Sequence, residues 1–75
     1  MVHEEDLLSI VAMHRICKKA GAERVSDSAS VELAKVLNEI GVKIARDALE
    51  SVHAGRRTVK AKDIEIAASK MFGKR

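Results

Sequence analysis

Eight cations in two short windows are the side chains of this sequence best placed to do chemistry. Arg15, Lys18, Lys19 and Arg24 share residues 15–24 with a single acid, Glu23, and Arg56, Arg57, Lys60 and Lys62 share residues 56–62 with none. The chain carries 14 Lys and Arg against 11 Asp and Glu, so the net charge of +3 says little by itself. Its segregation says more, because outside the two windows acids outnumber bases ten to six. Basic residues near helix ends also suit the helix dipole. Guanidinium and ammonium groups gathered this way nonetheless form an electrostatic footprint for a polyanion rather than a generally solvated surface.

Other chemistry is poorly supplied. There is no paired-carboxylate site, no nucleophile with a base beside it, no phosphate loop and no Cys/His cluster with zinc spacing. The sequence therefore predicts no enzyme activity, no metal and no cofactor. One cysteine, Cys17, excludes an internal disulfide and reads as a core thiol. Phe72 is the only aromatic residue, which argues against stacking bases of a single strand on aromatic platforms. The opening "MVHEED" is acidic and unlike a signal peptide, and no apolar run approaches the roughly 20 residues of a membrane span. A soluble intracellular protein without a membrane partner is expected. At 75 residues the chain is one domain, short enough for a lone copy to be marginally stable. With no disulfide or metal to support it, a partner chain remains.

Proline is absent and strand-forming patterns are sparse, so the elements that position the cations are helices. Helix 1 is expected from about Glu5 to Ala20, with Glu4, Glu5 and Asp6 at its start, Leu7, Ile10, Met13 or Val11, Cys17 and Ala20 along its apolar face, and Gly21 closing it. Arg15, Lys18 and Lys19 share one face at i, i+3, i+4. Helix 2 is expected from Asp27 to His53, capped by Ser26 and ended by Gly55. Helix 3 is expected from Ala61 to Phe72, with Ile64, Ala67 or Ala68 and Met71 inward and Gly73 after it.

Helix 2 is too long and too apolar for its own chain. Its span would be roughly 40 Å, against some 30 Å across a compact globule of this size with a radius of gyration of about 11 Å. With Leu33 at zero and about 100° per residue, Val36, Leu37, Ile40, Ile44, Ala48 and Val52 fall between roughly −60° and +100°. Val31, Val42 and Leu49 fall almost opposite, leaving about a third of the girth to Lys35, Glu39, Lys43, Arg46, Asp47 and Glu50. An ordinary surface helix has one apolar stripe a little over 100° wide. A second copy crossing this helix would cover the rest. Gly41, near its middle, either permits that close approach or is a tolerated mid-helix glycine.

Short helix, loop, long helix, loop, short helix is the layout of the histone fold. "AGAERVSD" at 20–27, "LAKVLNEIG" at 33–41 and "AGRRTVKAKDIEIA" at 54–67 closely resemble archaeal histones. The resemblance covers residues 7 to 72, in three blocks of the right order and spacing. It implies an all-α histone fold over residues 1–75, a homodimer or a heterodimer with another histone in a handshake, and double-stranded DNA as ligand, in the cytoplasm on the chromosome. The handshake sets loop 1 of one copy beside loop 2 of the other. Arg24 then matches the arginine directed at the minor groove and Thr58 the threonine paired with it. Arg57 and Lys60 match phosphate contacts of loop 2, Arg15 the helix 1 arginine that reaches the backbone, and Lys18 a neighbouring basic position. Such roles suit the residues. A guanidinium enters the electronegative minor groove with little base discrimination, and loop cations at phosphate spacing give affinity without sequence preference. Arg56 matches a clamp on Asp63; the alternative is a phosphate contact. His14 faces DNA or solvent.

Three departures from the family bear on function. Prolines at the start of helix 1 are missing, so that helix is expected to begin a turn early. Glu4, Glu5 and Asp6 would then sit where the family offers a helix N-terminus to phosphate, weakening DNA binding. The end of helix 2 is one residue shorter, which turns the following positions by about 100°. His53, Asp63 and Ile66 resemble the contact through which dimers of the family join, and this shift puts tetramers and filaments in question. The competing reading is a histone-fold dimerisation subunit of a transcription complex with weak DNA binding.

Overall fold

The computed structural model describes residues 8–52 and 58–73. Its helices are α1 (Ile10–Lys19), α2 (Asp27–Glu50) and α3 (Ala61–Phe72), in the expected short–long–short order, and no strand occurs among the described residues. The chain divides into two compact units, residues 1–39 and 40–75, and α2 contributes to both.

In the first unit, α1 starts later than the sequence suggested. Ser9 is its N-cap: the hydroxyl accepts from the Ala12 N–H at 3.2 Å, and the Ser9 carbonyl accepts from the Met13 N–H at 3.1 Å. These bonds satisfy orphan donors of the first turn, so the helix begins at Ile10 rather than near Glu5. No acid lies in that turn. Glu4, Glu5, Asp6 and Leu7 lie outside the described residues. Ala20 is the C-cap, one residue beyond the last helical position. Gly21, at φ +108°, donates to the Lys18 carbonyl at 3.0 Å, and Ala22 donates to the Cys17 carbonyl at 3.1 Å. This is a Schellman ending, and the left-handed backbone it requires is why a glycine stands there. At the other end of the loop, Ser26 caps α2 by accepting from the Ala29 N–H at 3.1 Å.

Met13, Ser30 and Ala34 are the buried residues of this unit. Met13 is therefore the inward residue and Val11, 61% exposed, the outward one. Cys17 is half-buried rather than a full core residue.

In the second unit, α2 stops at Glu50, three residues before the expected end. The Ala48 carbonyl takes both the Ser51 N–H at 3.3 Å and the Ser51 hydroxyl at 2.9 Å, and the Val52 N–H donates to Leu49 at 3.2 Å. These i to i+3 bonds tighten the last turn, and the serine side chain competes with the helical ladder. His53 and Gly55 lie outside the described residues. Helix α3 matches its expected bounds and ends at Gly73, φ +80°. Ala67 and Ala68 are both buried, Met71 is half-buried, and Ile64 is 37% exposed.

The chemistry of the core is unusual. Among the described residues the buried hydrophobics are Met13, Ala34, Ala48, Ala67 and Ala68, so alanines fill nearly all of it. Larger apolar side chains lie outside: Leu8, Val11, Ile16 and Val36 in the first unit, Val42, Leu49, Ile66 and Phe72 in the second. Burying a Leu, Ile or Phe side chain contributes about 1.5–3 kcal/mol, and a single copy leaves most of that unused.

Candidate nucleic-acid interface

Loop 1 is held at both ends. The Schellman bonds fix residues 20–22, and Ser26 is fixed by its cap and by the Ser30 N–H, which donates to its carbonyl at 3.2 Å. Between these anchors the Lys18 ammonium reaches across the loop and donates to the Glu23 carbonyl. Arg24 follows directly and is exposed; Val25 is half-buried. Of the predicted site residues, Lys18 and Arg24 are thus brought to one loop. Arg15 is exposed on α1, three residues before Lys18. His14 is half-buried and lines an open cleft with Ile10, Val11, Asp27 and Ser30.

The described part of loop 2 is residues 58–60, with Thr58 and Lys60 exposed and Val59 half-buried. Lys60 is the N-cap of α3. Its backbone N–H donates to Asp63 Oδ2 at 2.8 Å, and its carbonyl accepts from the Asp63 N–H at 3.0 Å and the Ile64 N–H at 3.2 Å. A lysine side chain has no acceptor, so the carboxylate supplies the side-chain half of this cap and leaves the ammonium to solvent. Lys62 pairs with Glu65 at 3.3 Å, both side chains well exposed, a pair worth little to stability. Asp63 is half-buried and Ile66, on the next turn, is 44% exposed. Arg56, Arg57 and His53 lie outside the described residues, and with them the Arg56–Asp63 clamp and the His53–Asp63 pair.

Two residues of this region escaped sequence reasoning. Ser9 could have been found, since a serine directly before an apolar helical run is an N-cap signal. Ser30 could not: it is 1% exposed, its hydroxyl has no partner among the described residues, and a serine mid-pattern reads as surface. Among the described residues no three His, Cys, Asp or Glu side chains gather as a metal site, and no helix is long and apolar enough to cross a membrane.

Comparison with known proteins places this architecture. The family model for histone-like transcription factors (CBF/NF-Y) and archaeal histones matches residues 5–68. The chain is 46% identical over 61 residues to the archaeal histone HAN1 of Thermococcus zilligii, covering 80% of this chain and 91% of the relative. It is 44% identical over 61 residues to probable archaeal histone 3 of Methanocaldococcus jannaschii, with the same coverage. The chain belongs to the family of histone-like transcription factors (CBF/NF-Y) and archaeal histones, a histone-fold protein and not an enzyme.

Proposed function

We propose that residues 1–75 form a single histone-fold domain that packages double-stranded DNA as a homodimer, binding, bending and compacting it largely without sequence preference. The observation that carries this reading is the inverted core: alanines are buried while Val36, Val42, Leu49 and Phe72 stay uncovered. A second copy laid along α2 covers those faces. In the handshake arrangement it also sets loop 1 of one copy beside loop 2 of the other. Arg24 then enters the minor groove with Thr58 beside it, Arg57 and Lys60 meet phosphates, Arg15 reaches the backbone from α1, and Lys18 adds to the same positive field. Packaging places the protein on the chromosome.

Two finer points belong to this reading. Arg56 clamps Asp63 and so holds loop 2 on α3. Dimers join further through His53, Asp63 and Ile66, and the early end of α2 at Glu50 makes that junction weaker than in relatives with a longer helix. The family's description also covers transcription factors, so a dimerisation subunit of a transcription complex is the second reading.

Electrophoretic mobility shift with unrelated duplexes at several salt concentrations separates the two. Packaging requires sequence-tolerant binding whose log affinity falls linearly with log salt, by about 0.9 for each phosphate neutralised. Absence of binding at low salt by a chain that sediments as a homodimer would replace packaging with the pairing module.

A further inference from the structure

We infer that Lys18 is a positioning residue for Arg24: it braces loop 1 so that the guanidinium is presented, and it is not itself a phosphate ligand. The inference rests on the DNA reading above. Lys18 acts on the loop twice. Its carbonyl accepts from Gly21 at 3.0 Å, and its ammonium donates to the carbonyl of Glu23, the residue before Arg24. Ser26 holds the far side through its cap on α2. Arg24 and Val25 are then the only residues between the last brace and the cap.

The chemistry favours this use of a lysine. Two attractions act on the ammonium at once, the negative end of α1, whose last turn carries it, and the Glu23 carbonyl dipole. A loop ordered before DNA arrives does not lose that freedom on binding, and the saved entropy appears as affinity. Lys19 is the internal comparison, one residue on, exposed and with the same charge.

The test is a double-mutant cycle on the full chain. Lys18→Met should weaken duplex binding by roughly 2–10-fold, the range for one net hydrogen bond. In an Arg24→Ala background it should weaken binding no more than Lys19→Met does. Without DNA, Lys18→Met should speed tryptic cleavage after Arg24, and Lys19→Met should not. Loss of affinity in Lys18→Met that persists undiminished beside Arg24→Ala, with a salt slope lower by about 0.9 for each lysine removed, would make Lys18 a phosphate ligand and overturn the inference. An unchanged cleavage rate would overturn the brace whether or not the chain binds DNA. Failure of the unmutated chain to bind DNA would sink the packaging reading, with the cleavage result standing separately.

Discussion

The backbone N–H of Lys60 rests on the carboxylate of Asp63 at 2.8 Å, and the Asp63 N–H returns to the Lys60 carbonyl at 3.0 Å. The aspartate thus joins the loop 2 backbone to the first turn of α3, and its charge also meets the positive end of that helix. Removing it should cost about 1 kcal/mol, the usual size of a lost cap. Asp63→Asn keeps an oxygen acceptor and should lose about half of that. Thermal unfolding at fixed protein concentration measures both. Equal losses for the two variants would show that charge, not the cap, is what Asp63 supplies.

Arg24 makes a different demand. A groove-directed arginine uses a planar fork as well as a charge, and lysine cannot reproduce the fork. Arg24→Lys should therefore weaken binding clearly while nearly keeping the salt dependence. Arg24→Ala should weaken it further and flatten the slope by about 0.9 for each phosphate no longer neutralised. Both variants should sediment as dimers. Titrations at three or more salt concentrations check this, and an Arg24→Lys chain that binds like the parent would reduce Arg24 to a point charge.

Much of this was legible in the sequence, for identifiable reasons. Helix α3 and the glycines after α1 and α3 follow from short-range rules, apolar spacing and a left-handed residue where a helix ends. Arg24 and Lys60 were legible because charge clusters against a neutral background. The start of α1 was misjudged because three acids resemble a first turn, whereas the serine hydroxyl at Ser9 decides where the helix begins. The end of α2 was misjudged because apolar periodicity continues to Val52 while Ser51 already turns back onto Ala48. The Lys18 brace was invisible, since a five-residue reach across a loop depends on where the loop folds.

Ser30 offers a test of what the uncovered faces meet. Its side chain is 1% exposed and its hydroxyl has no partner among the described residues. An unpaired buried hydroxyl costs about 1–3 kcal/mol, and alanine is the better helix former. Ser30→Ala should therefore raise stability, by about 1 kcal/mol, which for a domain of this size moves the melting temperature by about 4–8 °C. A fall of similar size would mean that the hydroxyl is used by the second copy, and the loss would then grow on dilution.

Gly41 decides how the two copies meet. It is exposed in α2, and a Cβ built there finds nothing within 4 Å in its own chain. Within one copy nothing requires a glycine, which costs a helix interior about 1 kcal/mol relative to alanine. Helix propensity alone thus predicts that replacing it stabilises the protein. A crossing of two long helices at this point predicts the opposite, because an added side chain would force the backbones apart. Gly41→Leu should weaken self-association by roughly 10-fold, from an overpacking cost of about 1–3 kcal/mol, although leucine is the better helix former. Sedimentation equilibrium over a dilution series reads the dimer constant directly. A Gly41→Leu chain that dimerises as tightly as the parent and melts higher would move the crossing away from Gly41, leaving Val36, Val42 and Leu49 to mark where the second copy lies.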